Sequence, residues 1–246
     1  MRYKRVLIKL SGSALSGQNS WGFDPSAIEA IANEVMTLHA AGVEVGIVIG
    51  GGNIFRGELG QGWGIERAEA DNIGMIATVL NSMMLRGALT SRGDVDVRVM
   101  TAIPINSVAE PYIRLRAIRH LERRSIVLLA AGSGNPYVTT DYPSVLRALE
   151  LRSQVLLSAK NGTDGIYTSD PQKNSDARRY EVISYDSVIQ NNLKVMDQAA
   201  VLLARDNNLP IHVFNFKSSG SMERLCRGEN LGTLIAKGPD QFLDQR

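Results

Sequence analysis

The stretch "VIGGGNIFRG", residues 48–57, ends an apolar run with three consecutive glycines and places Arg56 four residues beyond the last of them. Glycine permits a left-handed backbone turn and also lets another group approach the main chain closely. The bare N–H groups of such a turn can cradle an anion, and a guanidinium has the right shape to bind the same anion. The stretch therefore predicts a buried strand that ends in a phosphate-binding turn, although tight strand-to-helix turns also use glycine without any ligand.

Similar short apolar runs recur along the chain and alternate with segments of helical spacing. Several runs are apolar at nearly every position, which is typical of strands that are covered on both faces. This alternation predicts an α/β protein in which a mainly parallel sheet lies between two layers of helices, an αβα sandwich. Neither a linker nor a repeat divides the sequence, so we expect one domain over residues 1–246. The predicted strands are residues 5–10, 43–50, 95–100, 125–131, 154–159, 211–215 and 232–236.

The helix between the first two of these strands has the clearest signals. Asp24 can cap its start, Pro25 suits its first turn, and Gly42 lies just past its end. Apolar residues between these signals recur at helical spacing, which predicts one buried face. The other predicted helices are residues 66–90, 111–124, 141–151, 185–206 and 219–227.

The composition is that of an ordinary globular protein, with 44% hydrophobic and 21% charged residues and a net charge of +2. Without a long basic run, the sequence gives no indication of nucleic-acid or membrane partners. The single cysteine, Cys226, excludes an intrachain disulfide and fits a reducing compartment. We find neither a signal peptide nor a run of about 18 apolar residues, so we expect a cytoplasmic protein without a membrane span.

Four polar loops follow the predicted strands, and all are rich in Gly, Ser, Thr, Asn and Asp. In open α/β sheets, ligands bind outside the carboxyl ends of the strands, so these loops are expected to meet in one glycine-walled cleft. The alternative is that loops of α/β proteins are polar whether or not they bind anything. The loops are residues 9–17, 50–64, 130–141 and 159–171.

Several kinds of site are excluded by missing motifs. The chain has no GxxxxGK[ST] and no complete GxGxxG, and "GSGNP" is not a nucleophile elbow. His39, His120 and His212 are too far apart to predict a metal site. Lysine, arginine, backbone amides and carboxylates remain, and phosphoryl transfer uses this set together with Mg²⁺ carried by the nucleotide. Lys9, at the end of the first strand, suits such a role, although it could also be a solvated strand-end lysine.

Taken together, six segments in order resemble the bacterial type of uridylate kinase, which belongs to the amino acid kinase family. The resemblance runs from about residue 4 to residue 236, and the pair "GGGNxFRG" and "GxGNPxxTTD" is its most specific part. The segments are "KLSG" (9–12), "VIGGGNIFRG" (48–57), "ADNIGMIATVLN" (70–81), "GSGNPYVTTD" (132–141), "DGIYTSDP" (164–171) and "LKVMDQAAVLLARDNNLPIHVFN" (193–215).

The resemblance implies the reaction ATP + UMP → ADP + UDP, a step of pyrimidine nucleotide biosynthesis. It also implies a sheet of about eight strands, a homohexamer, activation by GTP and inhibition by UTP. Its residues are implied as follows: Lys9, Asp141, Asp197 and Arg56 for catalysis; Lys9, Leu10, Ser11, Gly12, Gly52, Arg56, Lys160, Asn161, Tyr167 and Asp170 for ATP; Gly51, Asp71, Ser133, Gly134, Asn135, Pro136, Tyr137, Val138, Thr139 and Thr140 for UMP; and Arg98 for GTP.

Some of these roles have simpler alternatives. Asp141 could cap a helix, Asp197 could be a solvated helix carboxylate, and Asp71 could merely favour the dipole of its helix. Functionally, Asp141 and Asp197 would hold Lys9 from two sides, and Asp71 would accept hydrogen bonds from the ribose hydroxyls. Lys160 is a second candidate ligand for phosphate.

The chain departs from the family pattern where GTP activation is concerned. Ser13 stands where the family usually has a glutamate, and the segment 17–23 is unusual. Ser125 replaces a basic residue, although Arg123 and Arg124 precede it. We therefore expect weak or altered activation by GTP. Two other functions remain open: a kinase of the same fold that acts on a small carboxylate or carbamate, and a nucleotide-binding or storage protein without catalysis.

Overall fold

The computed structural model describes residues 1–160, 162–216 and 220–243. Within these residues the strands are β1 (Arg5–Leu10), β2 (Glu44–Ile49), β3 (Val97–Thr101), β4 (Glu110–Pro111), β5 (Ile126–Ala130), β6 (Val155–Lys160), β7 (Tyr180–Ser184), β8 (Ile211–Asn215), β9 (Thr233–Ala236) and β10 (Gln241–Phe242). They form one sheet in the order β10-β7-β9-β8-β6-β1-β2-β5-β3-β4. Most neighbouring strands are parallel, whereas β9 pairs antiparallel with β8 and β10 pairs antiparallel with β7.

Helices cover both faces of this sheet. The helices are α1 (Ser13–Ser16), α2 (Pro25–Ala40), α3 (Gly57–Gly62), α4 (Arg67–Thr90), α5 (Arg114–Glu122), α6 (Asp141–Glu150), α7 (Tyr185–Gln190), α8 (Gln198–Asp206) and α9 (Ser221–Arg227). One layer contains α2, α4 and α9, and the other contains α5, α6, α7 and α8.

The core is divided in two by the central strands. On β1, Val6 and Ile8 face the cluster beneath α2 and α4, while Leu7 faces the cluster beneath α5 and α6. All three side chains are fully buried. The continuous apolar pattern of this strand is therefore explained by burial on both faces, as predicted.

The predicted αβα sandwich is confirmed, and the described residues form ten strands rather than about eight. The three strands that the sequence did not predict are β4, β7 and β10, of which β4 and β10 are only two residues long. Helix α2 begins as expected, with the Asp24 side chain accepting a hydrogen bond from the N–H of Ala27 at 2.8 Å. The single helix predicted over 185–206 is wrong. Asn192 adopts a left-handed φ of 47° after α7 ends, and Asp197 then precedes α8 with an extended ψ of 135°.

Helix α4 is long and apolar enough to meet a length-and-composition test for crossing a membrane. It nevertheless packs against β3, β5 and α2 within the fold. A buried core helix meets the same test, so this helix is weak evidence for a membrane span.

Candidate active site

The register of the sheet brings the predicted loops together at the carboxyl ends of the strands. Lys9 of β1 lies beside Val48 of β2 on one side and beside Ser158 of β6 on the other. On β5, Leu129 is the partner of Val48. The loops after these four neighbouring strands therefore share one edge of the sheet, as the sequence predicts.

The glycines of residues 50–52 do not adopt an unusual backbone conformation: none has a left-handed φ, so that expectation is wrong. Close packing explains Gly51 and the adjacent Gly12, whereas a Cβ on Gly52 would meet nothing within 4 Å. A Cβ on Gly51 would lie 2.7 Å from the carbonyl oxygen of Gly74 in α4. A Cβ on Gly12 would lie 2.6 Å from the backbone nitrogen of Gly52. The first loop can thus touch the backbone of the second loop only because residue 12 has no side chain.

Two buried asparagines that the sequence analysis did not single out brace this glycine turn. Asn81 of α4 donates to the carbonyl oxygen of Gly50 at 2.7 Å, and it also contacts the amide of Asn53. Asn53 in turn donates to the carbonyl oxygen of Gly22 at 2.9 Å. An asparagine at a position where the helical spacing of α4 predicts burial is the sequence signal that could have revealed Asn81.

A lysine and two aspartates meet at the centre of the edge. The ammonium nitrogen of Lys9 lies 2.9 Å from Oδ1 of Asp141, and both side chains are largely buried. Oδ2 of Asp141 accepts a hydrogen bond from the backbone N–H of Asp197 at 3.3 Å. The carboxylate of Asp197 accepts another from the hydroxyl of Thr139. The structure therefore brings together three of the four residues predicted for catalysis.

Arg56 and the glycines line the cleft beside this centre. The cleft has a volume of about 230 Å³, and its walls include Lys9, Ser11, Gly12, Gly52 and Arg56. The Nε of Arg56 donates to the carbonyl oxygen of Gly52 at 3.0 Å. The guanidinium is exposed, so it faces this cleft with hydrogen-bonding capacity to spare.

A second cavity of about 170 Å³ shares Gly51, Gly52 and Thr140 with the cleft. Asp71 lines it and is already engaged: its carboxylate pairs with Arg67 at 2.9 Å and accepts the N–H of Tyr137 at 2.7 Å. The other predicted residues that line it are Asn135, Val138 and Thr139, whereas Ser133, Gly134, Pro136 and Tyr137 are not among its lining residues.

Lys160 lies at the end of β6, close enough to Lys9 for the two positive charges to repel each other. Its ammonium donates to the carbonyl oxygen of Val195 at 2.5 Å. Burial, helped by the positive charge of Lys9, lowers the pKa of Lys160, while Asp141 and Asp197 oppose the change. The ammonium of Lys160 is therefore partly buried and lies near the same two carboxylates.

Two larger cavities adjoin Lys160. One, of about 560 Å³, is lined by Tyr167 and Asp170, and the hydroxyl of Tyr167 donates to Asp164 at 2.7 Å. The other, of about 430 Å³, lies against α2 and reaches Ser11 of the first loop, and the sequence analysis did not foresee it. The predicted ATP residue Asn161 lies outside the described residues.

Arg98 lies away from this edge, in the wall of a cavity of about 450 Å³. It pairs with Asp96 at 2.8 Å and with Glu110 at 3.5 Å. Ser125 donates to the same Asp96 carboxylate at 2.6 Å. Arg98, which is predicted for GTP, and Ser125, which departs from the family pattern, thus share the carboxylate of Asp96.

Comparison with known proteins finds relatives that match nearly the whole chain. The amino acid kinase family matches residues 4–215 of the chain. A uridylate kinase from Frankia casuarinae is 53% identical over 98% of this chain and 93% of its own length. The crystal structure of UMP kinase from Bacillus anthracis superposes with a TM-score of 0.97 at 56% identity, covering 99% of this chain and all of that one. UMP kinase from Ureaplasma parvum gives a TM-score of 0.91 at 34% identity, covering 96% and 100%.

Proposed function

We propose, from the premise that this chain belongs to the amino acid kinase family, that it transfers the γ-phosphoryl group of ATP to UMP. The observation that carries the proposal is the Lys9–Asp141–Asp197 cluster, which lies beside a glycine-walled cleft and an adjoining cavity. A triphosphate and a monophosphate in these two spaces would meet at the ammonium of Lys9. The uridylate kinases and UMP kinases that the chain resembles supply the identity of the acceptor.

The reaction needs little covalent chemistry from the protein. An oxygen of the UMP phosphate forms a bond to the γ-phosphorus, while the bond from that phosphorus to the β–γ bridging oxygen breaks and ADP leaves. The attacking phosphate is already an anion, so no side chain has to remove a proton from it. Catalysis then consists of aligning two polyanions and neutralising the charge that spreads over the transferred group.

Lys9 is proposed to neutralise that charge, with Asp141 and Asp197 holding it in place. The pairing with Asp141 at 2.9 Å and burial together restrict the ammonium to one position. A group that is fixed before the reaction stabilises the transition state without reorganising. Arg56 and the amides of Gly12 and Gly52 line the same cleft and are proposed to bind phosphate oxygens.

Magnesium is proposed to arrive with ATP. Both oxygens of Asp141 are engaged, by Lys9 and by the N–H of Asp197. The carboxylates therefore offer no ready-made cage, which fits Mg²⁺, because this ion usually keeps its waters and binds mainly to nucleotide phosphates. When bound, the ion would neutralise charge on the β- and γ-phosphates.

The nucleosides are proposed to lie on opposite sides of the transfer point. UMP would occupy the smaller cavity, with its ribose near Asp71 and its remaining contacts from residues 133–140. The base and ribose of ATP would lie near Tyr167 and Asp170, and Ser11 lines the cleft for the phosphates. The side chain of Leu10 is fully buried, so any contact of this residue with ATP would come from its backbone. Asn161, which is outside the described residues, keeps its predicted role in ATP binding.

Assembly and regulation are proposed on the resemblance. Ile76, Leu80 and Met84 are spaced four apart on α4 and are each more than 40% exposed, so a second copy could cover them in a hexamer. Arg98 would contribute to a GTP site that responds weakly, since it is already engaged by two carboxylates. Inhibition by UTP is proposed on the same resemblance. A cytoplasmic location is proposed as well, because the single cysteine, Cys226, is buried and unpaired, as is usual in a reducing compartment.

The proposal is tested by measuring ADP formation from ATP with a panel of acceptors. We expect turnover with UMP to exceed turnover with CMP, dUMP and AMP. A small carboxylate or carbamate as the best acceptor would support the alternative kinase function. Absence of turnover with every acceptor, at concentrations where ATP binds, would support the non-catalytic alternative. Adding GTP and UTP to the same assay tests regulation.

A further inference from the structure

The loop that follows β5 has an unusual backbone. Ala131 adopts a left-handed φ of 60° although it is not glycine, and Gly132 follows with a φ of 56°. For a residue with a Cβ, the left-handed conformation is strained, because the Cβ comes too close to a backbone carbonyl oxygen. Ala131 is fully buried, so the surrounding structure must hold it in this conformation.

Two side chains from different helices hold this turn. The hydroxyl of Thr78 in α4 accepts a hydrogen bond from the N–H of Ala131 at 2.7 Å. The guanidinium of Arg147 in α6 donates to the carbonyl oxygen of Gly132 at 3.1 Å. The N–H of Ala131 and the carbonyl oxygen of Gly132 lie beyond the end of β5 and, among the described residues, have no partner in the sheet. Each therefore receives a hydrogen-bond partner from a side chain, one from each layer of helices.

Arg147 is itself fixed on several sides. It is 7% exposed, and its Nη1 donates to Glu150 at 2.6 Å. Its guanidinium carbon lies 3.8 Å from the centre of the Tyr112 ring, and the hydroxyl of Tyr112 donates to the same Glu150 carboxylate at 2.7 Å. A planar cation that is both stacked and paired cannot swing away from Gly132 without losing these contacts.

The turn held in this way leads directly into the proposed UMP site. Gly132 lines the smaller cavity, as do Val138 and Thr139 further along the same loop. The loop is fastened again at Tyr137, whose N–H donates to Asp71. Arg147 does not line that cavity or the cleft beside Lys9, so any influence on ligands must pass through the Gly132 carbonyl.

We propose that Arg147 and Thr78 are positioning residues for the acceptor: together they fix the Ala131–Gly132 turn and thereby set the loop 132–140 against UMP. This inference rests on the proposed function. Weakening either contact lets the loop sample conformations that cannot bind UMP, and the apparent KM for UMP rises in inverse proportion to the fraction of molecules that remain competent to bind. The ATP side has no contact with this turn, so the KM for ATP stays constant.

The test compares Arg147→Met with Arg116→Met, which removes an exposed arginine from α5. We expect Arg147→Met to raise the KM for UMP at least tenfold and to change the KM for ATP less than twofold. We expect Arg116→Met to match the wild type in both constants. A merely structural role would lower the melting temperature and leave the KM for UMP unchanged, and that result would overturn the proposal.

Thr78 lines the smaller cavity itself, but its hydroxyl is already engaged: it donates to the carbonyl oxygen of Met75 at 2.7 Å and accepts from the N–H of Ala131. It provides a second arm that also serves if Arg147→Met does not fold. Thr78→Val keeps the shape of the side chain but removes the acceptor for Ala131, whereas Thr78→Ser keeps the acceptor. We expect Thr78→Val to raise the KM for UMP at least fivefold and Thr78→Ser to restore it. Equal UMP constants in the Val and Ser variants would overturn the proposal. If the wild-type protein itself does not phosphorylate UMP, the proposed function fails, and that outcome is distinct from both results.

Discussion

Lys9 shows how a single residue acquires its setting from the fold. The parallel register of β1 with β2 and β6 puts this lysine at the centre of the carboxyl edge, and Asp141 lies 2.9 Å from its ammonium. Residue order alone indicates that a lysine ends the first strand. The partnership with Asp141 and Asp197 depends on contacts across more than 130 residues, and the resemblance to a known family, rather than periodicity, anticipated it.

The first prediction is that Lys9→Met abolishes most turnover. Removing one well-placed charge from such a site costs about 3–4 kcal/mol of barrier, which is roughly a hundredfold to a thousandfold in kcat. The protein should still fold, with a lower melting temperature because Asp141 loses its partner. Measurements of kcat and thermal melting test this. Retention of more than about a tenth of wild-type kcat would contradict the role, since that is a loss of only about 1.4 kcal/mol.

The second prediction concerns Asp71, which lies in the second turn of α4 rather than at its cap. If it binds ribose, Asp71→Asn should raise the KM for UMP, leave the KM for ATP unchanged and narrow the preference for UMP over dUMP. The lost charged hydrogen bond should cost about 1.5–3 kcal/mol, or roughly ten- to a hundredfold in kcat/KM for UMP.

Glu69→Gln is the matched control for Asp71→Asn, because Glu69 is an exposed carboxylate in the first turn of the same helix. It should leave both KM values at their wild-type levels. If Asp71→Asn changes only the melting temperature, the carboxylate serves its pairs with Arg67 and Tyr137, and the ribose role is wrong.

At the scale of elements, the sequence predicted the position of the glycine turn after β2 correctly. It did not predict why residue 51 must be glycine. The strand ends where predicted, and the turn does line a cleft. The reason for glycine at residue 51 is the approach of α4, which no local pattern reveals. The same limit explains the missed break between α7 and α8, where the apolar pattern continues through a turn that the left-handed Asn192 creates.

The third prediction follows from that packing. Gly51→Ala should be destabilising, because its Cβ would lie 2.7 Å from the backbone oxygen of Gly74. Overpacking of this kind costs about 1–3 kcal/mol, and each kcal/mol lowers the melting temperature of a chain of this size by about 2–4 °C. Gly52→Ala is the control, since a Cβ there meets nothing within 4 Å. Equal melting temperatures for the two variants would contradict the packing explanation.

At the scale of the whole molecule, the fold class was predictable because most strands are buried on both faces and are separated by helices. The short edge strands β4 and β10 were not predictable, since two residues carry no periodicity. Strand β7 was also missed, because its buried residues, Tyr180 and Ile183, do not alternate along the strand. One continuous sheet supports our proposal that residues 1–246 form one domain. The exposed apolar residues of α4 gave no separate signal in the sequence, because the same helix also has a buried apolar face.

The fourth prediction is that the protein is a hexamer in which the exposed face of α4 takes part. Leu80 is 47% exposed and lies between Ile76 and Met84 on that face, so Leu80→Glu should place a charge in the interface and reduce the sedimenting mass. Leu202→Glu, on α8, is the control and should leave the mass unchanged. A wild-type monomer at micromolar concentration in sedimentation would refute the hexamer.

The central claim is that the site at the carboxyl ends of the strands, around Lys9, transfers the γ-phosphoryl group of ATP to UMP. Its most direct test is to supply ATP labelled in the γ-phosphate together with UMP, and to locate the label after a short reaction. We predict that the label is recovered in the β-phosphate of UDP in an amount equal to the ADP formed, and that Lys9→Met abolishes the transfer. Recovery of the label as inorganic phosphate, with no labelled UDP, would contradict the claim.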